Sequence, residues 1–185
     1  MRRMVLRFLS LILLLLASEA NAQRYQTEAG EVVFLSTAAL NEFTGESSQL
    51  NGLLDLESGL IDFYIDLNTL DTGIGLRDRH MRDNYLETKK YPFAEFSGNL
   101  EKSGPLELNE PLEVQARGTF TLHGKEKSMT ITGTLTQLSA SEILLETGFE
   151  VVLGDFDIEI PKLMFYELSE TQTVTIQARL KKTDL

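Results

Sequence analysis

The chain contains no cysteine, which excludes disulfides and thiolate chemistry and leaves stability to an ordinary core. It has only two histidines, His80 and His123, and neither H-x-H nor H-E-x-x-H spacing draws them towards one metal. No G-x-S-x-G elbow occurs, and Ser128 lies inside a strand-like stretch with no histidine and aspartate spaced to join it. Positive charge is scarce: 17 Lys and Arg stand against 28 Asp and Glu. Long apolar runs are missing too. The longest, Leu9–Leu16, falls well short of the ~20 residues of a membrane-spanning helix.

What is present begins with that run. Arg2, Arg3 and Arg7 precede it, and Ala20-Asn21-Ala22 follows as a small-residue cleavage site. The pattern predicts a secretory signal over residues 1–22, with no cysteine to carry a lipid, and a mature protein from Gln23. The expected location is periplasmic or secreted. Without Arg2, Arg3, Arg7 and Glu19, the remainder carries 14 basic and 27 acidic residues, a formal net of −13. Such a surface repels nucleic acid and anionic membranes, so no nucleic-acid partner and no stable membrane insertion are expected. Residues 23–185 suit one domain with enough chain for a sizeable core.

The dominant pattern after residue 23 is period-two alternation. Ile61, Phe63, Ile65 and Leu67 share one face of Leu60–Leu70. A long strand carries Leu112, Val114, Ala116, Gly118, Phe120 and Leu122, and after a turn at His123–Lys125 the alternation resumes at Met129, Ile131, Gly133 and Leu135. Further sets are Ile143, Leu145, Thr147, Phe149 and Val151, then Val174, Ile176, Ala178 and Leu180. Glu31–Ser36, Gln49–Leu56 and Phe93–Leu100 complete about eight strands, separated by turn signals such as Asn51-Gly52, Ser58-Gly59 and Ser103-Gly104-Pro105. With no βαβ rhythm this is an all-β antiparallel protein, and alternation alone fits a sandwich or a closed barrel equally.

One stretch breaks the pattern. Arg77–Phe96 is polar, carries both signs of charge, and has helical spacing over Arg77–Leu86, where Met81 and Tyr85 fall four apart. The Lys89-Lys90-Tyr91-Pro92 run ends it, since the residue before a proline favours extended backbone. A single short helix in the 77–86 region beside a β protein serves to cover one end of it. Asp155 and Asp157, flanking Phe156, and Asp71 before Thr72-Gly73 read as strand-end and turn residues.

The run R-D-x-H-M-R-x-N-Y-L-E-T-x-K-Y-P-x-A-x-F from Arg77 to Phe96 resembles the signature of the YceI-like, polyisoprenoid-binding family. Gly118-Thr-Phe-Thr-Leu-His-Gly124 and Asp155-Phe-Asp-Ile-Glu-Ile-Pro161 match downstream. Gly30 to Phe34 and Asn51-Gly-Leu-Leu-Asp-Leu-Glu-Ser-Gly59 match upstream, in the right order. The chain departs at Tyr85-Leu86, where many members carry two phenylalanines. The resemblance implies a lipocalin-like antiparallel β-barrel, and about eight strands enclose room for one small ligand. It further implies a binding protein rather than an enzyme, no cofactor or metal, a homodimer, and a long-chain isoprenoid or related amphiphilic lipid as partner.

On that reading the lumen set is Ile61, Phe63, Ile65, Phe96, Phe120, Leu122, Met129, Ile131, Phe149, Val151 and Ile176, with Arg77, His80 and Tyr91 at the mouth to meet a polar head. A filled core is the plain alternative for the same apolar faces. Gly118 and Gly133 remove bulk from inward positions, or else mark bends. Two other functional readings stand beside this one. One is a secreted metal-dependent enzyme using His80 with Asp78, Asp83 and Glu87; the other is a stress-related protein-binding module.

Overall fold

The computed structural model describes residues 23–160 and 168–183. Residues 1–22 and Pro161, on which the signal reading and the end of one motif fall, lie outside them. Eight strands run β1 Arg24–Thr37, β2 Glu42–Asp55, β3 Leu60–Asp66, β4 Phe93–Lys102, β5 Pro111–Leu122, β6 Lys125–Ser139, β7 Glu142–Val152 and β8 Thr171–Thr183. Each pairs antiparallel with the next, and β8 returns to β1 from Arg24↔Thr183 to Ser36↔Gln172, closing a barrel. Closure removes the edges that a sandwich would leave.

Several expected boundaries change; β2, expected from Gln49, already starts at Glu42. Leu60–Leu70 is not one strand: β3 stops at Asp66, whose carboxylate accepts from the Asn68 amide and starts the 3-10 turn Leu67–Thr69. β1 starts seven residues before the expected Glu31. Register shifts on either side of Gly30 break its alternation, which hides its first half from a period-two reading.

In a meander the odd connections all leave from one end. These are the turn 38–41, the segment 67–92, the His123-Gly124 turn and the segment after β7. The opposite end is packed shut by Leu54, Leu135, Ile143 and Leu180, none more than 2% exposed. Two seams in the wall are incomplete. β2 pairs with β3 only from Asn51↔Tyr64 to Leu54↔Ile61, and its upper half is instead bridged to the connection by reciprocal Glu46–Asp71 backbone bonds of 2.9 Å. Likewise β6 pairs with β7 only from Gly133↔Thr147 onwards. Above that pair the 3-10 turn Leu153–Phe156 fills the gap, inserting the buried Phe156.

Charged pairs hold that second plug in place. Lys127 bonds Asp155, and Lys125 lies 2.6 Å from Asp157. The Lys125 bond is what depresses the Asp157 carboxyl, and the same bond raises the Lys125 ammonium. The acidic pair thus faces two lysines across a turn and does not extend along a strand.

Candidate functional site

The mouth segment is helical as its spacing predicts, but in two forms. α1, Gly75–His80, continues without a break into a π-helical turn, Met81–Tyr85. Met81, Tyr85 and Leu86 pack against the barrel core. Within α1, Asp78 is buried and accepts from both the Thr72 amide (2.9 Å) and the Thr72 hydroxyl (2.6 Å), folding the 71–74 turn back onto the helix. Burial alone pushes this carboxyl up. The Thr72 donors, with the charges of Arg82 and Arg77, outweigh burial and hold it below the ordinary carboxylate range.

Beneath the helix the barrel is hollow. A cavity of about 530 Å³ runs down from the α1 end, within the size range of small-molecule sites. Ile61, Phe63 and Ile65 of β3 and Phe96 of β4 line it, as do Phe120 and Leu122 of β5 and Ile131 of β6. Phe149 and Val151 of β7 and Ile176 of β8 bring the total to ten of the eleven expected positions. The alternation places all ten on the inward face. Phe120 is held edge-on to Phe149 (5.8 Å) and to Phe156 (5.5 Å), so the plug of the β6–β7 seam also braces the lumen wall.

Two expected positions lie elsewhere. Met129 faces inward and packs on the core, but it sits two residues nearer the start of β6 than Ile131 and does not line the cavity. Tyr91 is drawn away from the mouth by His123: the two rings meet at 4.7 Å, and the Lys90 ammonium lies over the tyrosine face. His123 itself ties three connections together, with Nδ1 3.0 Å from the Phe156 carbonyl and Nε2 2.8 Å from Glu87 Oε2. Arg77 and His80 do border the cavity. Arg77 lies 4.2 Å over the Phe43 ring, and His80 is exposed. Among the described residues no group of three or more His, Asp or Glu side chains is close enough to hold a metal.

Gly118 also differs from expectation. A Cβ there would strike the Ser97 carbonyl, because β4 and β5 touch at Gly98↔Gly118. It marks a close backbone approach, not open lumen; Gly133 does line the cavity, but a Cβ there would strike the Glu146 carbonyl of the neighbouring strand as well. Sequence reasoning missed Phe34, Phe43, Leu50, Leu54, Met81, Gln172 and Val174, which all line it as well. Val174 shares the face of Ile176 by alternation, and Gln172 extends that face by one step; the register shifts around Gly30 break the alternation that would place Phe34.

The walls therefore offer dispersion contacts nearly everywhere and hydrogen bonds in few places. Such a space can take an apolar chain out of water and hold a polar end near the α1 opening. A family model described as the YceI-like domain matches residues 24–181. None of the curated proteins compared matches the chain in sequence. Among solved structures, it is similar to a polyisoprenoid binding domain from Saccharophagus degradans implicated in plant cell wall breakdown. That pair has a TM-score of 0.77 at 22% identity, covering 88% of this chain and 99% of that one. BcnA of Burkholderia cenocepacia follows the same fold with a TM-score of 0.67 at 16% identity, covering 83% and 96%. A YCEI protein of Campylobacter jejuni does so at 0.58 and 17%, covering 75% and 84%.

Proposed function

Because this chain belongs to the YceI-like family, we propose that it is a lipid carrier which sequesters one long-chain isoprenoid, of quinone or polyprenyl type, in its barrel. The observation that carries this is the apolar cavity of about 530 Å³, closed at one end and open beside α1. The Saccharophagus domain, described as polyisoprenoid binding, supports the choice of ligand. An isoprenoid tail is costly to expose to water, and burial returns roughly 0.8 kcal/mol per CH₂-sized group before ordering costs. The polar end of the ligand stays near the opening, where Arg77 and His80 border the cavity. The role is binding, not catalysis. The charge pattern of residues 1–22 supports export, and a carrier of this kind moves its lipid through an aqueous compartment such as the periplasm.

The direct test is organic extraction and mass spectrometry of protein purified from its native compartment. A prenyl-chain lipid should co-purify in near-stoichiometric amount. Protein that carries no lipid, and that takes up no prenyl compound when offered one in vitro, would sink the proposal.

A further inference from the structure

Leu40 stands in the 38–41 turn at the open end and is 77% exposed. Ile74, just ahead of α1, is 49% exposed, and Leu76, in the first turn of α1, is 58% exposed. The two elements meet at the opening, where Arg77 lies over Phe43, two residues past the turn. Ile74 and Leu76 line the cavity as well, as does Asn41 beside Leu40. The apolar lining of the lumen therefore runs out onto the rim and ends in water. A lone exposed leucine is ordinary, and Leu108, 60% exposed at the sealed end, is one. Three large apolar side chains at the mouth of an apolar cavity are a different matter, because they stand on the path that a hydrocarbon must take.

The charge at the rim is not the charge of the chain. Residues 23–185 carry a formal net of −13, but at physiological salt an exposed charge acts over only ~8 Å. Along the 67–92 connection every carboxylate is occupied. Asp71 accepts from the Gly73 amide (2.7 Å), Asp78 is buried on Thr72, Asp83 is bonded to Lys89, and Glu87 to His123. Glu95, on the outer face of β4, sets one further carboxylate against Arg77, Arg79 and Arg82. Arg79 is exposed three residues after Leu76, on the same side of the helix, and has no partner among the described residues. Exposed apolar side chains beside an unmatched cation suit the headgroup layer of a bilayer, which takes the first among its acyl chains and the second against phosphate.

We propose that the open rim docks on a bilayer surface containing anionic phospholipid, with Leu40, Ile74 and Leu76 dipping into it and Arg79 meeting lipid phosphate. This rests on the carrier reading above: docked in this way, the barrel takes up or delivers its prenyl chain without exposing it to water. The contact is peripheral and reversible, and among the described residues no helix is long and apolar enough to cross.

The test uses protein purified from its native compartment and vesicles free of prenyl lipid, sedimented together. One set of vesicles is phosphatidylcholine alone, and the other is phosphatidylcholine with an equal part of phosphatidylglycerol. Wild type should bind the mixed vesicles more tightly, by a margin that shrinks as salt rises. Leu40→Gln should weaken binding to both about tenfold, and Arg79→Gln should weaken binding to the mixed vesicles alone, about fivefold. Leu108→Gln should bind as wild type does. Neither Leu40 nor Arg79 lines the cavity, so farnesol should raise the melting temperature of both variants as it does that of wild type. Wild type that ignores both vesicles, or Leu108→Gln that loses as much as Leu40→Gln, overturns the inference. A loss in Leu40→Gln that coincides with a dimer becoming a monomer makes the rim a contact between copies and overturns it too. If Leu40→Gln does not fold, Arg79→Gln decides, and unchanged binding to mixed vesicles overturns the docking. No vesicle binding with a normal farnesol shift removes this inference alone. Binding through the rim with no farnesol shift supports the contact and removes the carrier reading.

Discussion

At the scale of single residues, the mouth depends on a buried carboxylate. Asp78 accepts two bonds from Thr72 at the start of the helical segment that roofs the cavity. Its folded carboxyl titrates below the ordinary value of about 3.9, so the unfolded chain binds the proton more readily. The stabilisation is therefore fully present above that value and is lost as pH falls through the folded one. Asp55 behaves in the same direction: the Ser58 amide, then Glu57 and Arg24, lower it against its burial, and it closes the β2–β3 turn. Asp78→Asn should lose about 1.5–3 kcal/mol at pH 7, the range for hydrogen bonds to a charged group. Melting temperatures measured from pH 7 down to about 2.5 should then show a shallower acid decline than wild type, with Asp55 and Asp157 among the carboxyls that supply what remains. An unchanged acid slope would mean that Asp78 is not the group being titrated.

At the scale of elements, the barrel seats its inward aromatic rings on glycines of the neighbouring strand. Phe34 pairs with Gly45 and Phe63 with Gly52, and a Cβ on either glycine would collide with the ring. Gly52→Ala must therefore push Phe63 off its seat towards the lumen. We expect about 1–3 kcal/mol of destabilisation in urea unfolding, typical of overpacking, and a larger loss of affinity for long prenyl chains than for short ones. Equal loss at both lengths would mean that the ring does not border the ligand. These pairs also show where the sequence was legible. Strand faces such as Ile61, Phe63, Ile65 or Phe120, Leu122 were readable because alternation is a property of one strand. So was the helix, since Met81 and Tyr85 repeat at helical spacing within one segment. Unreadable features depend on two segments meeting: the bulged start of β1, the Gly98↔Gly118 contact, and the capture of Tyr91 by His123. Asp155 and Asp157 were legible as strand-end and turn residues, but not their partners, because the lysines that hold them lie about thirty positions away. Hollowness was unreadable for the same reason, since a list of inward side chains does not give the distance across the barrel.

At the scale of the whole molecule, the asymmetry of the two ends sets what the barrel can hold. Leu54, Leu135, Ile143 and Leu180 seal one end, while α1 and its π-helical continuation roof the other only in part. A chain can thus enter from one side and has a fixed length of wall to cover. Each five-carbon unit that fits returns roughly 4 kcal/mol at the usual rate per CH₂, reduced by the freedom lost on ordering it. Ligand binding stabilises the folded state by mass action, about 2.7 kcal/mol at a hundredfold excess over Kd, so thermal shift reports occupancy directly. With prenyl alcohols of increasing length at one concentration, the melting temperature should climb with each added unit until the cavity of about 530 Å³ is full. Beyond that length it should level off, because further units remain in water. A shift that keeps climbing would mean that the chain passes out through the sealed end, and that the four leucine and isoleucine side chains part to admit it. A shift that never rises would mean that the cavity is not where the chain goes.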